Sequence, residues 1–341
     1  MNILTADNPQ DKQLWIDLWK RIPHREVYAH PEYVLLYEDA DNKAVCAYID
    51  NNSDIILFPF LMRNIPSQPY RDLISPYGYG GYLLCAKQPK LLLEQFNVEF
   101  QQWVIENNII SEFIRFYLNS PIIENYAGEI MHNNNNIIVD LTIPEEERWM
   151  AYKQKVRKNV KRAQNSGVEV FDDEGENLDA FLDIYYDTMK RRDAKDSYYF
   201  QRHYFESIIA NLPGQYRFFH AIFEGKIIST ELILVSENNI YSFLGGTLDK
   251  YFQLRPNDYI KHKIMNWGRL NGKKSFVLGG GYTPNDGIFK YKEAFAPEGI
   301  TSFYVGRRIF NDKIYASLVD DRKVNDLDFD CDSEFFPLYR A

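Results

Sequence analysis

The stretch YRFFHAIFEGKIISTELILVSENNIYSFLGG, residues 216–246, constrains this chain more than any other. It holds three β-rich runs separated only by Glu224-Gly225-Lys226 and Glu237-Asn238-Asn239. Connections that short leave room for hairpins alone, so the spacing predicts a three-stranded antiparallel meander. Helices are predicted before it at about 177–193 and 200–211. After it, a helix is predicted to open at Pro256, where a missing N–H costs nothing, and to stop at Asn271-Gly272. KSFVLGGGY (274–282) reads as a buried strand ending in glycines, and TSFYVGRRIF (301–310) as a last strand.

The first half follows a similar order. Leu14, Trp15, Leu18 and Trp19 recur at helical spacing. Two strand-like runs, 43–49 and 54–62, are split by Asn51-Asn52-Ser53, a hairpin signal because Asn and Ser accept turn geometry. Residues 75–84 form a Gly/Tyr loop, and 88–107 a helix with Leu92, Phe96, Phe100 and Trp103 on one stripe. Residues 111–118 and 136–143 read as strands, and the four asparagines Asn133–Asn136 as a turn. Each half thus predicts an α/β (α+β) domain, a mixed and largely antiparallel sheet flanked by helices. The change to a strongly charged helical stretch at 143–167 sets the expected division: domains 1–145 and 146–320, then an acidic C-terminal tail, 321–341.

With 341 residues, 45% of them hydrophobic and 26% charged, the chain has material for two buried cores. Aromatics reach 16%, with 25 Tyr and 23 Phe; most fill cores, while Tyr also suits polar-rimmed clefts. A net charge of −9 argues against a surface-wide basic field for nucleic acid or anionic membrane. The N-terminal MNILTADNPQDKQLW lacks a basic region followed by an apolar run, and no apolar stretch approaches the roughly 18 residues of a membrane span. Cys46, Cys85 and Cys331 are odd in number and far apart, and the His residues show no ligand spacing. A cytoplasmic, metal-free protein is expected. Asp326, Asp328, Asp330 and Asp332 alternate; on a strand they would share one Ca²⁺-binding face, but a solvated acidic tail is the plainer reading.

Three stretches between about 150 and 300 carry a family likeness. The first is Arg157-Lys158-Asn159-Val160-Lys161-Arg162-Ala163, running on to Gly167-Val168-Glu169-Val170. The second is Tyr241-Ser242-Phe243-Leu244-Gly245-Gly246, then Leu254-Arg255-Pro256-Asn257 opening a helix that contains Trp267. The third is Leu278-Gly279-Gly280-Gly281, then Gly287-Ile288-Phe289-Lys290-Tyr291-Lys292-Glu293-Ala294-Phe295. In this order and spacing the chain resembles the FemAB-type aminoacyltransferases of the GNAT superfamily. The resemblance implies two GNAT-like folds in tandem. It also implies transfer of an aminoacyl group from charged tRNA to an amine of a nucleotide-linked peptidoglycan precursor, or acyl transfer in polysaccharide biosynthesis. No tightly bound cofactor is implied; the donor is aminoacyl-tRNA or acyl-CoA. The family's "F-K" lysine is carried over to Lys292, with Tyr291 in place of Phe. Where the family's first half has a "G-P" element, this chain has Ser75-Pro76-Tyr77-Gly78-Tyr79-Gly80-Gly81. Two other functions stay open: an acyl-CoA-dependent N-acetyltransferase acting on an amino sugar, and a binding protein that keeps the fold without chemistry.

Candidate site residues follow from residue type and position. Lys153, Lys155, Arg157, Lys158, Lys161 and Arg162 fall in a short run without an acid, and like charges four apart on a helix repel. That predicts a polyanionic partner, with Arg157, Lys161 and Arg162 on phosphate. At the next helix start, Gln253–Tyr259 has no glycine, and Asp258 puts negative charge where acetyl-CoA enzymes of this superfamily hold a pyrophosphate. Arg255 and Asn257 flank it as binding candidates. Lys292 is the candidate oxyanion stabiliser with Tyr291 beside it, and Glu231 on the meander the candidate general base. Tyr241 is expected near the acyl slot, and Gly280 and Gly281 to let backbone approach substrate. No Ser-His-Asp or Cys-His order is legible, so the chemistry expected is positioning plus oxyanion stabilisation.

Overall fold

The computed structural model describes residues 1–120 and 123–341. In chain order the elements are β1 (Asn2–Thr5), α1 (Pro9–Arg21), α2 (Pro31–Leu35), β2 (Asn42–Asn51), β3 (Asp54–Asn64), β4 (Arg71–Ile74), β5 (Leu83–Cys85), α3 (Pro89–Glu106), β6 (Ile109–Arg115) and β7 (Glu129–Asp140). They continue with α4 (Glu145–Ala151), α5 (Gln154–Asn165), β8 (Glu169–Asp173), α6 (Leu178–Arg191), α7 (Arg202–Asn211), β9 (Tyr216–Phe223), β10 (Lys226–Val235) and β11 (Asn239–Thr247). The last are α8 (Pro256–Leu270), β12 (Ser275–Gly279), α9 (Gly287–Glu293), β13 (Ile300–Ile309) and α10 (Asp312–Asn325). Packing divides them into two units, Met1–Asn133 with Ser302–Ala341, and Asn134–Thr301.

In the first unit the expected hairpin forms. β2 and β3 pair antiparallel in one unbroken register from Asn42↔Arg63 to Asn51↔Asp54. The turn places Asn52 at φ 65°, a left-handed conformation that asparagine tolerates. β3 pairs antiparallel with β4, β4 parallel with β6, and β6 antiparallel with β13. The apolar stripe of α3, Leu92, Phe96, Phe100 and Val104, is buried against Val45, Phe58 and Phe60 of the sheet. Phe96 and Phe100 stack with centroids 5.4 Å apart.

The division differs from boundaries at 145 and 320 because residues 302–341 return to the first unit. Leu318 and Val319 of α10 join Ile65 and Ile110 in a small core. Tyr339 bonds Ser111 at 2.8 Å and Asp72 at 3.1 Å, and Arg340 pairs with the buried Asp72 at 2.6 Å. Residues 321–341 are therefore not a solvated tail throughout, although Asp328, Asp330 and Asp332 are exposed. No strand forms there among the described residues, so the alternating aspartates do not share a strand face.

In the second unit the meander forms as expected: β9, β10 and β11 pair antiparallel in sequence, and β8 adds to β9. β12 pairs parallel with β11 and antiparallel with β7. One expectation is corrected here. Asn133–Asn136 are not a turn but the interior of β7, and Asn136 is buried. Ladder pairing of the adjoining Ile137–Asp140 with β12 outweighs the local turn preference of asparagine. The core comes from α5 (Val156, Val160, Ala163) and α8 (Ile260, Ile264, Met265) packed on the sheet.

Glu112 on β6 carries a consequence for stability. It is 1% exposed. One carboxyl oxygen accepts from the Tyr126 hydroxyl at 2.8 Å, and the other has no hydrogen-bond partner among the described residues. Burial pushes this carboxyl up to about 7, against the smaller opposing pulls of Tyr126 and Arg308. The native state thus holds a proton over a range in which the unfolded chain has released it, and stability falls as pH rises towards about 7. Glu112→Gln removes this dependence. Thermal melts should give the variant a Tm near the parent's at about pH 5 and above it at about pH 8. Parallel Tm curves for the two proteins would contradict the assignment.

Candidate active site

In the second unit β11 and β12 pair over only three positions, Asn239↔Ser275, Ile240↔Phe276 and Tyr241↔Val277. Beyond Tyr241, β11 stays with β10, through a register shift at Phe243, while β12 stays with β7 as far as Gly279. A cavity of about 740 Å³ is lined by the parted end of β11 together with α6, α8 and α9. Its chemical groups include Glu231, Ser242, Asn257, Lys261, Tyr291 and Lys292.

Lys261 is the residue that sequence reasoning missed. Its ammonium donates to Glu231 Oε1 and to Ser242 Oγ, the latter at 2.7 Å, and lies 5.4 Å from the centroid of the Phe276 ring. Lys261 is 6% and Glu231 4% exposed, so this ion pair is inside the protein. The signal was present: Lys261, Met265 and Gly268 recur at i, i+4 and i+7 on the buried face of α8. A lysine on such a stripe needs a buried partner.

Lys292 lies on α9, whose first turn is capped by Asp286; the Asp286 carboxylate accepts from the backbone N–H groups of Tyr282, Thr283 and Phe289. Lys292 Nζ donates to the Gly280 carbonyl at 2.7 Å. Its pKa is lowered to about 8, chiefly by burial and then by the Lys261 ammonium, while Glu231 and Asp286 pull the other way. Tyr291, next to it, lines the same cavity with a buried hydroxyl that no described residue hydrogen-bonds.

The remaining expected residues divide. Asn257 lines the cavity, and its Oδ1 accepts from Ser229 Oγ at 3.4 Å. Arg255 is exposed at φ 60° just before α8. Asp258 in the first turn is buried; it accepts from the Asn159 amide at 3.0 Å, and burial raises its carboxyl above the ordinary range. Tyr241 is a buried strand residue outside the cavity lining. Gly280 and Gly281 give their space to the protein itself. A Cβ at Gly280 would lie 2.7 Å from the Asn135 carbonyl oxygen, and one at Gly281 would meet the Asp286 carboxylate. Arg157 spends its guanidinium on the carbonyls of Met150 and Tyr152, closing the end of α4. Lys161 and Arg162 are exposed on α5 and form no salt bridge among the described residues.

The cavity also takes Arg191 from the end of α6 and Arg192 just after it, which sequence reasoning did not single out. Arg191 donates to the Thr247 carbonyl at 3.0 Å and lies over the Phe252 ring. Among the described residues no group of three or more His, Cys, Asp or Glu is arranged to hold a metal ion, and no helix is long and apolar enough to cross a membrane.

Residues 151–293 match the family model described as an acetyltransferase (GNAT) domain. No curated protein matches the chain by sequence. Among solved structures, FemX aligns with a TM-score of 0.73 at 13% identity, covering 93% of this chain and 99% of FemX. L-PGS from Bacillus licheniformis aligns with a TM-score of 0.56 at 12% identity, over 92% of this chain and 94% of that one. A conserved protein of unknown function from Bacteroides thetaiotaomicron gives 0.58 at 11% identity, over 89% and 97%. At these identities the likeness is one of fold. The expected architecture of two GNAT-like units, each a mixed sheet flanked by helices, stands. The chain is thus FemAB-like and GNAT-type in fold, and residues 151–293 are similar to the acetyltransferase (GNAT) domain model.

Proposed function

We propose that the chain is an N-acyltransferase of the FemAB/GNAT type, which moves an aminoacyl or acyl group onto an amine of a cell-envelope precursor. The observation that carries this reading is one cavity holding two lysines and a buried carboxylate, Lys261, Lys292 and Glu231. As the amine nitrogen bonds to the acyl carbon, the carbonyl electron pair moves onto oxygen, where the Lys292 ammonium stabilises it. The pair then returns as the bond to the donor's leaving oxygen or sulfur breaks. Glu231 takes the proton that the amine gives up and passes it to the leaving oxygen or sulfur, and Lys261 keeps that carboxylate in place.

The donor favoured is aminoacyl-tRNA. α8 opens on Pro256 without a glycine, and the Asp258 carboxylate occupies its first turn, where negative charge repels a pyrophosphate. Lys158, Lys161 and Arg162 form an exposed basic face on α5 suited to a polyanion. Acetyl-CoA is the second reading, favoured by the match of residues 151–293 to an acetyltransferase model. The test supplies alanyl-tRNA and acetyl-CoA separately, with UDP-linked muramyl pentapeptide as acceptor, and follows the acylated product by mass spectrometry. Product from alanyl-tRNA alone is expected. Product from acetyl-CoA alone overturns the donor, and no product from either overturns the transferase reading with this acceptor.

Lys292 acts here as an ammonium, so its contribution is present below about pH 8 and lost above it. Turnover is expected to fall as pH rises through that value. Lys292→Met should lower kcat by roughly 10²–10³. Its Tm should hold or rise, because a charge held away from water is removed. A variant that keeps the parent's rate and its alkaline limb would remove Lys292 from the mechanism.

A further inference from the structure

Tyr291 borders the cavity one residue before Lys292. Its ring meets Phe295 edge-on, with centroids 5.4 Å apart and planes at 81°, and it packs against the core of the second unit. That packing fixes the ring and hence the position of its hydroxyl. The hydroxyl is buried and has no hydrogen-bond partner among the described residues. Other tyrosines of this unit place theirs on protein acceptors. Tyr152 bonds Met265 Sδ at 3.0 Å, Tyr186 the Phe200 carbonyl at 2.9 Å, and Tyr216 the Glu174 carbonyl at 2.8 Å.

An unsatisfied buried hydroxyl is destabilising, and a phenylalanine would fill the same space without that cost. A group from outside the protein is therefore the natural partner, and the cavity is where it arrives. Burial, then the Asp258 and Glu231 carboxylates, hold the phenol's pKa well above its ordinary value. The hydroxyl accordingly stays protonated and donates.

We propose that the Tyr291 hydroxyl donates a hydrogen bond to the carbonyl oxygen of the acyl group, so that it and Lys292 approach that oxygen as a pair. The proposal rests on the acyl-transfer reading of this cavity. In the step, the N–C bond forms and the carbonyl pair moves onto oxygen, where the two donors hold it. The C–O or C–S bond to the donor then breaks as that pair returns, its electrons leaving with the donor's oxygen or sulfur, and the amine proton passes to Glu231 and from it to that leaving atom. The phenol proton is shared and never transferred. The hydrogen bond strengthens as charge builds on the oxygen, so its loss falls on kcat more than on KM.

The test is Tyr291→Phe, assayed beside the parent and Lys292→Met with alanyl-tRNA and acetyl-CoA, UDP-linked muramyl pentapeptide being the acceptor. The expected result is a kcat lower by roughly 10–100-fold, KM within about twofold, and a Tm equal to or above the parent's. A kcat at the parent's level overturns the proposal, and so does a loss that tracks a fall in Tm, which would mark a packing role. If Lys292→Met is inactive while Tyr291→Phe is fully active, this proposal fails and the transferase reading survives. If both variants keep full activity, or the parent forms no product, the reading of the cavity fails and this proposal with it.

Discussion

Three residues of parallel pairing between β11 and β12 decide where this protein has a site. Each strand has a second neighbour that it follows once they part, β10 for β11 and β7 for β12. Both ladders are irregular near the parting, at Phe243 and between Val277 and Gly279, and such irregularities turn a strand away from a regular sheet. Backbone and side chains that a continuous sheet would cover are left facing a cavity. α8 and α9 wall it, and each brings one lysine.

The charges inside that cavity do not share their surroundings equally. Glu231 is held by Lys261, and Ser242 accepts a second hydrogen bond from the same ammonium. This pair is close to neutral as a whole, which is how two charges are kept out of water. Lys292 is the lysine left over, and among the described residues only the Gly280 carbonyl accepts from it. Its burial and the nearby Lys261 ammonium act in the same direction, so the shift falls on Lys292. Lys292, its pKa lowered to about 8, is thus a group with a single fixed acceptor among the described residues. A carboxylate in direct contact with Lys292 would hold its charge more firmly and take that lowering away.

What could be read from the sequence was set by local chemistry. The meander, the β2–β3 hairpin and the start of α8 are written in short turns and in Pro256, and they formed where expected. Asn133–Asn136 misled because strand pairing is non-local, and asparagine's turn preference carries no record of a partner strand. The return of residues 302–341 depends on Asp72 meeting Tyr339 and Arg340, groups more than half a chain away in sequence. Within the site, Glu231, Asn257, Tyr291 and Lys292 all line one cavity. Arg157 does not, since a guanidinium can as well close a helix end as bind phosphate, and residue type alone does not tell these apart. Lys261 was legible in the periodicity of α8, but only to a reader who asked which lysine lies on a buried stripe.

α5 connects the two kinds of charge in this unit. Val156, Val160 and Ala163 bury one face of it, and Asn159 on the flank reaches Asp258 in the first turn of α8. The N-terminus of α8, a natural place for an external anion, therefore has a carboxylate of its own in its first turn. Helical geometry then puts Lys158, Lys161 and Arg162 on the side of α5 opposite its buried face, where water surrounds them. Positive charge on this helix is consequently weak at any one residue and screened by salt within about 8–10 Å, and its clustering suits it to attracting a large anion. Inside the cavity, where the lysines are largely withdrawn from water, a single ammonium is screened less and acts with greater force. Attraction at the surface and stabilisation of one oxygen atom in the interior need those different dielectric settings, and the packing of α5 on α8 keeps them apart.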